Sequence, residues 1–365
     1  MLAGCPSAQT VPCNNGAICP AGLACTELSS LCGPEAAVEA CLGRADHESC
    51  EYSDDDVEQA AGACRAGICY ECSVDRAGCH YPGWFAMSSP VTEPLLGVWV
   101  AAIDDAYAVG PAGQVLHYDG IAWTVADVAG VAPVRFKSIW GSDANNVYAA
   151  AESGKIFRTT GDGVWTEVAD VGFMLTGISG SSANNVIAGG QGGGVVVRFD
   201  GVGWSTLSNP GVLAVNSIWT PGPADVFAPS NRPGEILRYQ GTTWSPSRPF
   251  LGSDPVLKAI WGTSSADVYA VGERKTMYRF DGTNWSDPVV LPGTLFDAKS
   301  IWGSGVGDVF VVGTTGLILR GSADQWMTLP VPTSQPTLWS VSGSSPNNVL
   351  VVGDGGVIWR YLGDQ

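Results

Sequence analysis

One tryptophan position recurs seven times along this chain. Trp84, Trp123, Trp165, Trp204, Trp244, Trp285 and Trp326 follow one another at steps of 39, 42, 39, 40, 41 and 41 residues. A second register holds Trp99, Trp140, Ser179, Trp219, Trp261, Trp302 and Ser342, at steps of 41, 39, 40, 42, 41 and 40. A unit of this length cannot bury its own apolar face, so successive copies must stack to make a continuous core.

Each copy reads as short strands. The clearest runs Leu257-Lys-Ala-Ile-Trp-Gly262, Asp267-Val-Tyr-Ala-Val-Gly272, Thr276-Met-Tyr-Arg-Phe-Asp-Gly282, and then Trp285 into Val289-Val290. The runs are rich in β-branched and aromatic residues and are bounded by Gly, Asp, Asn or Pro. Strands A, B, C and D follow in that order. The A–B turn carries Asp105, Asn146, Asn185, Asp225, Asp267, Asp308 or Asn348, residues whose side chains can bond their own backbone in a turn. The C–D turn reads Asp-Gly-x-x-Trp at Asp119, Asp200 and Asp281, Gln-Gly-x-x-Trp at Gln240, and Asp-Gly-x-Trp at Asp162; Asp324-Gln-Trp326 is degenerate. Seven such copies predict an all-β, seven-bladed β-propeller with four-stranded blades over residues 81–365. The last copy, ending at Gln365, has strands A to C but no D. Gly83-Trp-Phe-Ala-Met87 has the pattern of a D strand with nothing before it. It is predicted to complete blade 7, with Trp84 against the strand Val357–Tyr361, so that no blade is left open.

All 11 cysteines lie between Cys5 and Cys79. Leu2-Ala-Gly-Cys5 resembles a bacterial lipobox. That resemblance implies residues 1–4 as the remnant of a lipoprotein signal, lipid on the Cys5 sulfur, and a secreted protein anchored at the outer membrane or cell surface. It also removes the odd cysteine. The other ten divide into Cys13, Cys19, Cys25 and Cys32, and then Cys41, Cys50, Cys64, Cys69, Cys72 and Cys79. Two plus three disulfides is the natural count; the sequence leaves 3 and 15 connectivities open for four and six cysteines. A module at 5–80 this polar and glycine-rich, with subgroups 5–32 and 41–79, needs covalent staples. Zinc at Cys69, Cys72, Cys79 and His80 is the competing use, but the oxidising setting favours disulfides. Ser53-Asp-Asp-Asp-Val-Glu58 offers oxygen ligands for calcium, yet it reads better as the acidic first turn of a short helix running toward Ala63. The spacing from Cys13 to Cys79 is similar to EGF-like modules and to cysteine-rich stalks on surface lipoproteins of myxobacteria.

At the C–D turns the motif resembles the Asp-box of sialidase-type and photosystem-assembly-type propellers, although the residue between Asp and Gly and the preceding Ser are missing. The Ile-Trp-Gly…Asp-Val-Tyr-Ala-Val-Gly…Asp-Gly-x-x-Trp string is also like repeats of bacterial surface lipoproteins. In such families the Asp turns face away from the ligand and serve folding, as the local reading here also holds.

Net charge is −17, which argues against nucleic acid or an anionic membrane surface as partner and leaves the N-terminal lipid as the membrane contact. No catalytic constellation assembles. The three histidines are His47 and His80 in the cysteine module and His117 on strand C, where other blades carry Arg158, Arg198, Arg238, Arg279, Arg320 and Arg360. These residues are expected between blades near the Asp-rich turns, in bidentate pairs. No cofactor or metal is implied, and Gln191-Gly-Gly-Gly194 reads as a flexible B–C turn.

The five lysines are more telling. Lys137, Lys258 and Lys299 each begin a strand A, and Lys155 and Lys275 sit in B–C turns, which lie on the same face. Glu152, Glu273, Asp127, Asp170, Asp254 and Asp297 share that face and can neutralise it. The sequence therefore points to a monomeric, non-catalytic recognition protein whose lysine-bearing face binds a glycan or a surface protein. A sialidase-like hydrolase or lyase and an assembly scaffold are the alternatives.

Overall fold

The computed structural model describes residues 84–362 except 127, 129–133, 208–210, 295, 323–324 and 332–334, together with the backbone of Gly83 and of seven short strands between residues 11 and 71. The chain forms two compact units, Met1–Gly83 with Leu362–Gln365, and Trp84–Tyr361.

In the first unit, Ser49–Asp54, Val57–Arg65 and Ile68–Glu71 make a three-stranded antiparallel sheet. The short helix expected toward Ala63 is therefore replaced by strand. Asp54 stands opposite Val57 in register, and the second strand pairs on both sides, so sheet hydrogen bonding overrides the helical preference of its alanines. In backbone register Cys25 stands opposite Cys32, and Cys64 opposite Cys69. The side chains of all the cysteines, the lipobox, the competing zinc site and the proposed calcium ligands lie outside the described residues.

The second unit is a ring of seven four-stranded antiparallel sheets. In order A to D, blade 1 is Gly97–Ala102, Asp105–Val109, Val115–Tyr118 and Trp123–Val125. Blade 2 is Phe136–Asp143, Asn146–Ala151, Lys155–Thr159 and Thr166–Asp170. Blade 3 is Leu175–Ser182, Asn185–Gly190, Val196–Phe199 and Trp204–Thr206. Blade 4 is Trp219–Gly222, Asp225–Pro229, Ile236–Tyr239 and Trp244–Arg248. Blade 5 is Leu257–Ser264, Asp267–Gly272, Thr276–Phe280 and Val289–Val290. Blade 6 is Ala298–Gly305, Asp308–Gly313, Ile318–Gly321 and Trp326–Thr328. Blade 7 takes strands A to C from Leu338–Ser345, Asn348–Gly353 and Ile358–Leu362, and its strand D is Gly83–Ala86. The orphan D strand closes the ring as the repeat offset requires. The Trp84 ring lies 5.4 Å from that of Tyr361, and the Met87 N–H donates to the Ile358 carbonyl at 2.9 Å.

Each strand A touches strand A of the next blade, and that of blade 7 touches that of blade 1, so the A strands form a closed inner ring. Serine hydroxyls tie it together. Ile178 N donates to Ser138 Oγ, Val341 N to Ser300 Oγ, and Val98 N to Ser340 Oγ, each at 3.2 Å.

The two tryptophan ladders do different work. A ladder tryptophan at or just before strand D packs back onto the preceding blade. Trp165 meets Tyr107, Trp204 meets Tyr148, Trp285 meets Phe227 and Trp84 meets Phe310, at 5.9–6.5 Å and 76–84° between planes. Edge-to-face pairs of this kind add about 0.5–1.5 kcal/mol to the area they bury. A ladder tryptophan on strand A lies instead flat against a glycine of the next blade. A Cβ on Gly141 would come within 2.7 Å of Trp99, one on Gly180 within 2.5 Å of Trp140, and one on Gly303 within 2.5 Å of Trp261. Gly262 against Trp219 and Gly343 against Trp302 follow the same rule. The two copies that carry Ser179 and Ser342 instead of tryptophan are followed by Thr220 and Val100 at the glycine position, both buried. Where the knob is small, the socket is filled from the other side.

At the C–D turns, Asp119 Oδ1 accepts from Ala122 N and Ile121 N, both at 2.8 Å. Those backbone bonds hold its carboxyl below the usual range. Asp200 and Asp281 are held in the same way, by Gly203 and Val202, and by Asn284 and Thr283. These aspartates are turn formers, as expected.

The A–B turn residues are not confined to backbone turn bonds. Each begins a strand B, and in six of the seven blades its side chain meets the cation on strand C of its own blade, whereas in blade 3 Asn185 Nδ2 donates to Ser181 Oγ at 2.8 Å. Arg238 grips Asp225 through Nε and Nη2, both at 2.7 Å. Arg279 meets Asp267 at 2.9 Å, Arg320 pairs with Asp308, and His117 takes the same place against Asp105 at 2.9 Å. In two other blades the partner is an amide, with Arg158 on Asn146 and Arg360 on Asn348 at 3.0 Å. The bidentate geometry expected of the set is thus shown by Arg238. The cross-blade reach is real in Arg320, which donates to Tyr361 Oη at 2.9 Å, in Arg198, which donates to the Pro223 carbonyl at 3.2 Å, and in Arg360, which reaches Ile103 O and Tyr118 Oη.

Candidate ligand face

Strand polarity defines two ends of the ring. Strands A and C begin, and strands B and D end, on what we term the upper face. The lower face holds the A–B and C–D turns and the Arg–Asp pairs. All five lysines lie at the upper end, as the spacing predicts, with Lys137, Lys258 and Lys299 each second in its strand A.

The second residue of strand A, or its counterpart in the shorter copies, rings the mouth of the central channel. Around the circle these residues are Leu96, Lys137, Thr176, Asn216, Lys258, Lys299 and Trp339, all half-buried. They separate into three uses. Thr176 and Asn216 are staples between blades. Thr176 Oγ1 donates to Val215 O at 2.6 Å, and Asn216 Nδ2 donates to Leu257 O at 2.9 Å. Lys258 is matched by Glu273 at 3.0 Å. The remaining four, Lys299, Trp339, Leu96 and Lys137, are consecutive round the rim from blade 6 to blade 2.

In that arc the Lys299 ammonium stands 5.5 Å from the centre of the Trp339 ring. Trp339 Nε1 donates to Asp354 Oδ1 at 2.7 Å, which fixes the indole. No carboxylate partner is found for Lys299 or Lys137 among the described residues. Desolvation of a cation against an aromatic face is tolerated because the ring quadrupole attracts it.

The five lysines are therefore not equivalent. Lys155 is paired with Glu167 at 2.7 Å, and that hydrogen bond raises its amine above the usual lysine range. Lys275 donates to the Gly293 carbonyl at 2.8 Å. The acidic neighbours named from sequence are largely engaged: Glu152 with Arg135 at 3.5 Å, Asp254 with Arg248 at 2.8 Å, and Asp297 with Arg274 N at 3.1 Å. Asp170 accepts from Gly172 N, and Asp127 lies outside the described residues. Sequence reasoning missed Trp339. Its signal was its being out of step: of 14 tryptophans, only Trp339 and Trp359 stand off both ladders.

No group of three or more His, Cys, Asp or Glu side chains is placed to hold a metal among the described residues.

No family model matches the chain, and no curated protein matches it. Solved structures do. YCF48 bound to D1 peptide is 16% identical, with a TM-score of 0.65, over 78% of this chain and 98% of that one. A catalytically inactive virginiamycin B lyase from Staphylococcus aureus with quinupristin is 12% identical, with a TM-score of 0.67, over 76% and 98%. The WD40 β-propeller domain of Doa1 is 13% identical, with a TM-score of 0.63, over 78% and 98%. At these identities the likeness is one of fold.

Proposed function

We propose that this protein is a non-catalytic recognition module whose upper-face arc binds a carboxylate-bearing chain, from a glycan or from a partner protein. The observation that carries the reading is the sequence of groups round the rim. Two lysines without carboxylate partners among the described residues, Lys299 and Lys137, flank a flat apolar stretch of Trp339 and Leu96. The indole and the leucine offer a surface for a sugar ring or an aliphatic side chain, and each amine offers a counter-charge for an acid group. Peptide binding by the structural neighbour YCF48, whose propeller is of the same kind, supports a role in binding.

The test is a thermal-shift and affinity screen of the oxidised protein with polygalacturonate, hyaluronate and polyglutamate. Ligands that prefer the folded state raise its melting temperature. Trp339→Ala and Lys299→Ala are each expected to weaken binding about tenfold, a loss of order 1.4 kcal/mol. Lys155→Ala, whose amine already serves Glu167, leaves affinity within about twofold. Binding that ignores Trp339 and Lys299, or none to any of the three polymers, overturns the reading. Release of shorter products from the bound polymer would turn it into a hydrolase or lyase.

We further propose that Cys5 carries lipid and that the cysteine-rich module holds the propeller at the bacterial surface. The support is the Leu2-Ala-Gly-Cys5 motif and the even cysteine count once Cys5 is set aside. Expressed behind a full lipoprotein signal, the protein is expected to incorporate labelled palmitate and to lose the label with Cys5→Ser. Equal labelling of both chains would refute it.

A further inference from the structure

A cleft of about 530 Å³ opens between blades 2 and 3. Its cause lies in strand D of blade 2. The strand D residue opposite the second position before the strand C arginine is Leu207 in blade 3, Val289 in blade 5 and Leu329 in blade 6, and each is packed against the core of its gap. In blade 2 that position is Ala169, with Val168 bulged out of register beside it. Ala126 takes the same place in blade 1, where strand D has no bulge, so the cleft comes from the small residue and the bulge together. Its wall is aromatic: Trp204 is half-buried, whereas Trp165 and Trp123 are 2% and 5% exposed.

The two ends carry opposite charge. At the upper end is Asp170, last residue of strand D, and at the lower end is Arg158, opposite Thr166 in register. The strand between them is five residues long, roughly 13 Å at the rise of a β-strand. Arg158 differs from the arginines of blades 4, 5 and 6. Those face Asp225, Asp267 and Asp308, but Arg158 faces the neutral Asn146, and its Nε is buried without a partner. The nearby Asp143 directs its oxygens to Ser142, Asn145 N and Asn146 Nδ2. At the other end Lys155 engages Glu167 rather than Asp170. A half-buried guanidinium without a carboxylate partner favours a carboxylate that enters in an extended chain.

We propose that this cleft is a peptide-binding site, distinct from the upper-face arc, that takes a short extended segment of a partner protein with an acidic side chain at Arg158, aliphatic side chains over Ala169 against Trp204, and a basic side chain toward Asp170. The opposite charges at the two ends select such a segment over an apolar one, and the apolar floor selects it over a simple anion. A segment of about four residues spans the cleft.

Isothermal titration with two acetylated, amidated tetrapeptides, Asp-Val-Leu-Lys and Lys-Leu-Val-Asp, tests both chain directions. One of them is expected to bind with a Kd below about 1 mM, and replacing its Asp by Asn weakens it at least about fivefold. Ala169→Leu, which fills the cleft as Leu207 and Leu329 fill the gaps beside blades 3 and 6, lowers affinity at least about tenfold without lowering the melting temperature. Arg158→Gln lowers it by a similar factor. Trp339→Ala leaves it unchanged, which separates this site from the arc. Failure of both peptides to bind, retention of binding in Ala169→Leu, or loss of binding in Trp339→Ala would each overturn the proposal.

Discussion

Gly141→Thr is expected to destabilise the propeller by about 2–3 kcal/mol, because its first side-chain atom must displace the Trp99 ring. The three atoms closest to a Cβ at Gly141 all belong to that ring, at 2.7–2.9 Å. Close-packed interiors have no room to absorb the overlap. Trp99→Ser alone costs about 3 kcal/mol or more by the opposite mechanism, a cavity where an indole stood over Tyr107. The informative result is the double variant. Ser179 followed by Thr220, and Ser342 followed by Val100, show that the fold accepts a small residue in one blade with a larger one in the next. The double variant should therefore lose at least about 1 kcal/mol less than the sum of the singles. Urea unfolding of all four proteins, followed by intrinsic fluorescence, measures the cycle. Additive losses would show that the alternation of tryptophan and glycine is not a steric pair.

Trp84→Ala is expected to cost about 3–5 kcal/mol, comparable with losing any buried tryptophan, but with a consequence peculiar to its place. Trp84 is 8% exposed, edge-on to Phe310 at 6.4 Å and tilted on Tyr361 at 5.4 Å. It lies at one end of the folded ring and holds the strand that joins the two ends of the repeat. Weakening it exposes the edge of Ile358–Leu362, a row of backbone donors and acceptors open to other chains. The variant should unfold at lower urea and aggregate near its transition. Trp204→Ala, which removes a half-buried indole beside the open cleft, should cost about 1–2 kcal/mol less than Trp84→Ala and leave the ring closed. Equal losses in the two variants would mean that closure contributes no more than any other blade contact.

The two ladders make the architecture legible in the sequence. Repetition multiplies a weak local signal by seven, so strand order, blade number and the circular closure through Gly83–Ala86 all followed from spacing. The helix expected toward Ala63 did not, because that segment occurs once and its fate rested on pairing with neighbouring strands rather than on its own residues. The candidate site shows the same division. Lys137, Lys258 and Lys299 were found together because they share a repeat position. Their differences were invisible, since Glu273 reaches Lys258 from another turn of blade 5 and Trp339 meets Lys299 from another blade.

The sequence determined what repeats: seven four-stranded sheets, the two tryptophan ladders, and the end that carries the lysines. These depend on periodicity and on contacts between equivalent positions. Tertiary structure alone decided what does not repeat. It left Lys299, Trp339, Leu96 and Lys137 as one arc, it set Arg158 against the neutral Asn146 at the end of a cleft, and it opened that cleft between Ala169 and Trp204. Those features arise from single residues in neighbouring blades, whose meeting depends on distances through space that no spacing along the chain encodes.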